Sequence, residues 1–581
     1  MGHAELMEAG FYGPMPETCG DTLTRMHSGT KRSPKALWSQ ATARGPLVLA
    51  ASWWKHGVIY QIYPRSFLDT NGDGVGDLKG IIERLDYLAW LQVDAIWISP
   101  IYPSPMADFG YDITNYCDIA PVFGDFACFL RLLDEAHRRT IKVILDLVPN
   151  HTSDRHPWFV DSRASRTSNK RTWYIWRDAK ADHAPPNNWM SNFGGSAWEW
   201  DERTGQYYYH AFLKEQPDLN WRNPQVRAAL YSVMRFWLDL GVDGFRIDVL
   251  WHLIKDAAFR DNPANPAYAP GQPDINRYLQ IHSADQPEIA EVATEMRAVV
   301  EAYRDRVLIG EIYLPLKRLV AYYGEDLAGI HLPFNFQLLF TAWRASAIAA
   351  LIAEYEQVLP VGAWPNWVLG NHDHKRIATR IGIHQARVAA MLLLTLRGTP
   401  TLYYGDEIGM SDVPISFEAA QDPRERREPG LDLGRDPQRT PMQWQGSTFA
   451  GFSSASPWLP VAADHALINV AAEREDPTSI LTLYRRLITL RRASPALTQG
   501  SYRPLSFAEN VLCYERVNGD QRLQIALNFD SKPKAVRLPT WPGCRVLLST
   551  AGQPQDTTDP LVLRSDEGVI VGASSGSERA I

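Results

Sequence analysis

Eight short apolar runs, separated by stretches of helical periodicity, constrain this chain more than any other feature. They fall at 58–63, 95–99, 142–148, 244–249, 307–312, 329–334, 367–370 and 399–404. Continuous hydrophobicity over so few residues suits parallel strands buried on both faces, and eight is the count of a (β/α)8 barrel. The stretches between them carry helix punctuation. Asn223-Pro224 supplies an N-cap and a proline at the first helical position, and Val226, Leu230, Val233 and Trp237 recur at helical spacing before Gly241. Pro287 opens a second such segment, with Ile289, Val292, Met296, Val299 and Val300 on its apolar side, and Leu78, Ile81, Leu85 and Leu88 repeat the pattern earlier. The expected fold class is therefore α/β, a TIM barrel.

Two interruptions add to that plan. More than seventy residues dense in Trp, Asn, Asp and Gly separate the third run from the helix at Asn223, too many for a structureless loop. The expectation is a small domain at 151–221, inserted into a barrel of 53–150 and 222–497. A second polar, proline-bearing excursion spans 411–476. From 498 to 581 the texture changes to short alternating runs such as Val511-Leu-Cys-Tyr-Glu-Arg, which predict a C-terminal antiparallel β-sandwich. Residues 1–52, rich in Gly, Pro, Ser and Thr, read as a flexible extension.

Of the 581 residues, 45% are hydrophobic and 22% charged, the balance of a globular protein with a large core. A formal charge of −7 without any long basic run argues against nucleic acid or an anionic membrane as partner. No stretch approaches the roughly 18 apolar residues of a spanning helix. The run at 46–51 is short and distant from the start, which argues against a signal peptide. Five cysteines at spacings that match neither a zinc site nor a disulfide framework predict a cytoplasmic protein, with the periplasm second. A monomer or homodimer is expected.

Barrel enzymes gather their chemistry where strands stop. The polar residues at those ends are Asp146, Asn150, His151, Arg246, Asp248, His252, Glu311, Asn371, His372, Asp373, Asp406 and Glu407. Any one of them fits a capping role, but several carboxylates with histidines and an arginine on one rim fit acid–base and nucleophilic work on a sugar.

Four segments among these, Asp146-Leu-Val-Pro-Asn-His151, Gly244-Phe-Arg-Ile-Asp248, Gly310-Glu311 and Asn371-His-Asp373, resemble the signature regions of the α-amylase family, glycoside hydrolase family 13. The resemblance covers about residues 53–570, and Gln216-Pro-Asp-Leu-Asn220 is similar to the α-glucosidase and oligo-1,6-glucosidase branch. It implies Asp248 as nucleophile, Glu311 as general acid/base and Asp373 as the third carboxylate, with His151 and His372 on sugar hydroxyls and Arg246 keeping the nucleophile ionised. A cation beside Asp248 is expected to lower its pKa, and a carboxyl among carboxylates, as Glu311 would be, to stay protonated. A retaining mechanism needs the two carboxyl groups roughly 5–5.5 Å apart.

The resemblance also implies exo-action. Phe109-Gly-Tyr-Asp112 is similar to the segment whose tyrosine, here Tyr111, stacks on the terminal glucose, and an Asp112–Arg435 pair would close the pocket behind it. Phe212 is expected to add an apolar wall. Asp69-Thr-Asn-Gly-Asp-Gly-Val-Gly-Asp77 alternates oxygen ligands but lacks the closing glutamate of an EF-hand. It resembles the metal loop of oligo-1,6-glucosidases, with Asp69, Asn71, Asp73 and Asp77 giving side chains and Val75 its carbonyl to structural Ca²⁺, or to Mg²⁺. Val249 after the nucleophile is a residue associated with α-1,6 activity, but the continuation Leu250-Trp251-His252 departs from that branch, as does His374-Lys375. The expected activity is a retaining exo-α-glucosidase on small α-glucosides, α-1,4 favoured, with glucosyl transfer or sugar isomerisation as the alternative.

Overall fold

The computed structural model describes residues 52–505, 509–552 and 559–573; the extension at 1–51 lies outside them. Eighteen strands are numbered in chain order. Eight form the barrel: β1 (Ile59–Ile62), β2 (Ala95–Ile98), β3 (Lys142–Leu147), β7 (Gly244–Ile247), β8 (Val307–Gly310), β9 (Leu332–Pro333), β10 (Asn366–Val368) and β11 (Thr399–Tyr403). They pair in parallel in the order β10-β11-β1-β2-β3-β7-β8-β9; seven predicted apolar runs each contain one of them, and the run 367–370 overlaps β10, which starts one residue earlier.

Alternation along the strands separates two layers of core. Ile59, Trp97, Ile144, Ile309, Phe334 and Val368 pack together in one cluster, whereas Tyr60, Ile62, Ile96, Ile98, Val143 and Leu145 join the larger one shared with the helices. Between β9 and β10 a buried side chain replaces the ladder. The backbone N–H of Asn335 donates to Asn366 Oδ1 at 2.9 Å, and Asn366 Nδ2 donates to the Pro333 carbonyl at 2.6 Å. One amide thus satisfies backbone groups on both sides of the seam.

Six main helices surround the barrel: α1 (Phe126–Arg138), α2 (Pro224–Asp239), α3 (Ile289–Glu301), α4 (Ala345–Val358), α5 (Ile383–Thr395) and α6 (Ile480–Ala493). Helix α2 starts as its sequence dictates, with the Asn223 side chain accepting from Gln225 N–H and Pro224 at the first turn. Past its end Gly241 takes φ 105°, a left-handed value that glycine adopts without strain.

After β3 the chain builds a three-stranded antiparallel sheet in the order β4 (Trp176–Arg177), β6 (Gln206–Tyr209), β5 (Trp198–Asp201). Buried Lys255, beyond β7, ties this region down: its ammonium donates to Asn150 Oδ1 at 2.8 Å and pairs with Asp218. Beyond α6, β12 (Ser501–Pro504), β13 (Val511–Asn518), β14 (Gln521–Asn528), β18 (Gly568–Ala573) and β16 (Cys544–Ser549) form one antiparallel sheet; β15 (Lys534–Val536) and β17 (Leu561–Leu563) form another. Buried Arg516 on β13 donates to the Thr395 carbonyl at the end of α5, fixing sheet to barrel. Cys128, Cys513 and Cys544 are free thiols, but Cys117 is disulfide-bonded, which corrects the sequence reading of an unpaired set. Among the described residues no helix is long and apolar enough to cross a membrane.

Candidate active site

Register brings the chemistry together. Asp146 on β3 lies opposite Arg246 on β7, and the ladder continues past the strand ends through Asp248 N–H to the Leu147 carbonyl and Glu311 N–H to the Ile247 carbonyl. Asp146, Arg246, Asp248 and Glu311 therefore share one carboxyl-terminal rim. The Arg246 guanidinium is their hub: Nη1 donates to Asp146 Oδ1 at 2.8 Å and Asp248 Oδ1 at 2.7 Å, and Nη2 lies 2.7 Å from Glu311 Oε1. Glu311 and Asp248 also interact directly, side chain to side chain. Between them Val249, a β-branched residue, sits at φ 36°, and its N–H donates to Glu311 Oε2 at 2.8 Å. That left-handed conformation is a strained one for valine, and it aims a backbone donor at the acid.

Three buried carboxylates around one cation cannot all ionise freely. Burial raises the pKa of Asp248 well above the usual carboxylate range; Arg246 opposes this, and Glu311 and Asp146 add to it. Arg246 lowers the pKa of Asp248, as expected of an adjacent cation, but desolvation outweighs one shared guanidinium. Burial likewise raises Glu311, with Arg246 opposing and Asp373 reinforcing, and lifts Asp146 to about 7. The cluster titrates as a unit, with its last protons held jointly.

Asp373 stands in the opposite electrostatic setting. Burial alone would raise its pKa, but His372, Arg439 and Arg435 together hold it well below the usual range. Arg439 Nη2 donates to Asp373 Oδ1 at 2.8 Å, and Arg435 Nη1 to the same oxygen at 3.4 Å. His372 is part of a relay. Gln61 Nε2 donates to its Nδ1 at 2.8 Å, its Nε2 lies 2.7 Å from the Tyr111 hydroxyl, and Tyr111 donates to Asp146 Oδ2 at 3.2 Å. With Tyr111 donating onward, the imidazole is neutral with its proton on Nε2, in keeping with a pKa that burial drives far down. The Tyr111 and His372 rings are parallel within 4° at 5.5 Å. His151 Nε2 contacts the Tyr111 carbonyl at 3.0 Å, and burial lowers its pKa to about 4. Phe212 packs 5.3 Å from the His151 ring.

Tyr111, His151, Phe212, Asp248, Val249, Glu311, His372 and Asp373 line a cavity of about 420 Å³, together with Asp108, Phe193, Trp251, His252, Tyr313, Phe340, His374, Arg424 and Arg435. Its size is that of a small-ligand pocket. One sequence assignment fails at its closed end. Arg435 does not meet Asp112; its Nη2 donates to Asp108 Oδ1 at 2.6 Å, and Asp422 takes the rest of the guanidinium. Asp112 is turned into its own loop, where it accepts from Ser104 Oγ, Ala107 N–H and Asp108 N–H at 2.8–3.0 Å. Three local donors fix that carboxylate as a turn brace, and Asp108, four residues earlier, reaches the cavity instead. Asp422, Arg424, Tyr313 and Trp251 were not singled out from the sequence.

At the loop after β1, Asp69 accepts from the N–H groups of Asn71, Gly72 and Gly74, and Asn71 and Asp73 accept from residues two further on. Asp77 caps the helix Leu78–Glu83 through Gly80 N–H. Three carboxylates, an amide oxygen and a carbonyl are the hard donors calcium takes. Among the described residues, however, no three carboxylate, imidazole or thiolate groups converge at ligating distance.

Fold and site together define a (β/α)8-barrel enzyme whose acidic groups converge at the carboxyl ends of its strands. Residues 61–500 match the family described as alpha amylase, catalytic domain. The chain is 42% identical over 508 residues to a probable alpha-glucosidase of Rhizobium meliloti (strain 1021), covering 84% of this chain and 91% of that protein. It is 39% identical over 527 residues to an oligo-1,6-glucosidase of Parageobacillus thermoglucosidasius, covering 84% and 92%. The crystal structure of the alpha-glucosyl transfer enzyme XgtA superposes with a TM-score of 0.84 at 40% identity, over 90% of this chain and all of that one. The protein belongs to the α-amylase family of glycoside hydrolases.

Proposed function

We propose that this protein is a retaining, exo-acting α-glucosidase that releases glucose from the non-reducing end of short α-glucosides, α-1,4-linked substrates of the maltose type being favoured. The observation that carries the reading is the single Arg246 guanidinium touching both Asp248 and Glu311 on the floor of the cavity. Asp248 attacks the anomeric carbon as the bond to the leaving oxygen breaks, and Glu311 gives that oxygen its proton. Glu311 then removes a proton from water, whose oxygen displaces Asp248 from the face that the leaving group vacated, restoring the α-configuration. Asp373, ionised beside its two arginines, accepts from sugar hydroxyls and offsets positive charge developing on the ring. Neutral His151 and His372 line the pocket without adding charge to it. Asp108 and Arg435 block the cavity behind one glucose, which supports exo-action.

Glucosyl transfer is the second reading, favoured by the unpaired donors at the cavity mouth, which can hold an acceptor in place of water. The anomer formed first tests the main proposal: proton NMR should record α-glucose, and initial β-glucose would refute double displacement. Products at high maltose separate the readings, glucose indicating hydrolysis and new disaccharides transfer. For the loop after β1 we propose structural Ca²⁺ on Asp69, Asn71, Asp73, Asp77 and the Val75 carbonyl, stiffening the segment that leads out of β1. Added Ca²⁺ should raise Tm relative to chelated protein, and an unchanged Tm would count against the site.

A further inference from the structure

At the closed end of the cavity every nitrogen of the Arg435 guanidinium is engaged, but Arg424 is not. It lies in the short helix Pro423–Arg427, begun by the Asp422 cap, and lines the cavity beside His374 and Phe340. Its Nε is buried without a hydrogen-bond partner, and no ion pair among the described residues includes its guanidinium. The acidic groups around it make their contacts elsewhere, although Glu428 Oε2 is left without a partner. Asp422 holds Arg435 with both oxygens, Asp373 Oδ1 is shared by Arg435 and Arg439, and Glu428 Oε1 accepts from Asp274 N–H. Arg435 repels Arg424, and Asp373, Asp422 and Glu428 attract it without forming an ion pair. A half-buried guanidinium facing a ligand cavity without an ion-pair contact is costly, and its planar fork fits the oxygens of a phosphate or carboxylate. Close by, Phe340 is 60% exposed at the mouth and offers an apolar wall to the carbon skeleton of a leaving group.

We infer that Arg424 is a specificity-determining residue that binds an oxyanion, phosphate ester or carboxylate, carried by the leaving group of the α-glucoside. This deepens the α-glucosidase reading and rests on it. The test compares kcat/KM for maltose, maltose phosphorylated on its reducing-end glucose, and the α-glucoside of glycerate, in the native enzyme and in Arg424→Gln and Arg424→Lys. At least one anionic glucoside should exceed maltose by about tenfold. That preference should fall by a similar factor in Arg424→Gln and return in part in Arg424→Lys; which anionic substrate wins separates phosphate from carboxylate. Maltose preferred over both, or a preference that survives Arg424→Gln, overturns the assignment and leaves the glucosidase reading intact. Failure to cleave any of the three overturns both.

Discussion

At its closed end the cavity ties its charges to one another: Arg435 is divided among Asp108, Asp422 and Asp373, Arg439 holds Asp373, and Gln61, His372 and Tyr111 form a relay. At its mouth the donors are idle. Trp251 Nε1, His252 Nδ1 and Arg424 Nε are buried without partners, and Phe340 is exposed. A saturated network is rigid and accepts one shape, whereas unpaired donors are completed only by what arrives. One sugar is thus specified by a preorganised wall, and the group attached to it by vacancies.

The largest expected effect lies where the two halves meet. Asp248→Asn should lower kcat on the order of 10⁴-fold or more with its melting transition retained, and a kcat within tenfold of native would remove Asp248 as nucleophile. Glu311→Gln should cost roughly 10²- to 10⁴-fold on maltose and much less on a nitrophenyl glucoside, whose leaving group needs no proton. Equal losses on both substrates would contradict its role as acid. Next comes the closed end. Asp108→Asn leaves Arg435 short of a partner and should reduce kcat/KM roughly 30-fold or more, about 2 kcal/mol at the low end. Asp112→Ala should do the reverse, lowering Tm through three lost hydrogen bonds while sparing kcat/KM; if the two variants exchange behaviours, the closed end is misassigned.

The last prediction concerns stability against pH. The folded-state pKa of His151, about 4, lies below its unfolded value near 6.5, so the unfolded chain takes the proton first. The stability contributed by neutral His151 is complete above pH 6.5 and is lost as pH falls towards 4, up to about 3 kcal/mol across that window. His151→Asn should therefore show a shallower fall in Tm between pH 6.5 and 4, and parallel curves would refute it.

The barrel was legible because burial on both faces leaves continuous apolar runs, and its acids were legible because they follow those runs directly. The closed end was not. Asp108 and Asp112 flank Phe109-Gly110-Tyr111, and only the turn, with Gly110 at φ 108°, decides which carboxylate caps backbone and which meets Arg435. Asp422 and Arg424 lie in a stretch without periodicity, so nothing in their spacing announces a cavity. For Asp248, adjacency to a lowering cation is visible in sequence, but the desolvation that outweighs it appears only when Asp146 and Glu311 are seen to compete for the same guanidinium.

The left-handed backbone at Val249 sets a bargain between endurance and turnover. Glycine there would relax a torsion costing of order 1–3 kcal/mol, and the barrel would gain robustness. The same relaxation would let the peptide swing away from Glu311 Oε2, loosening the one main-chain clasp on the acid. A heat-hardened but sluggish enzyme is the expected product of that exchange.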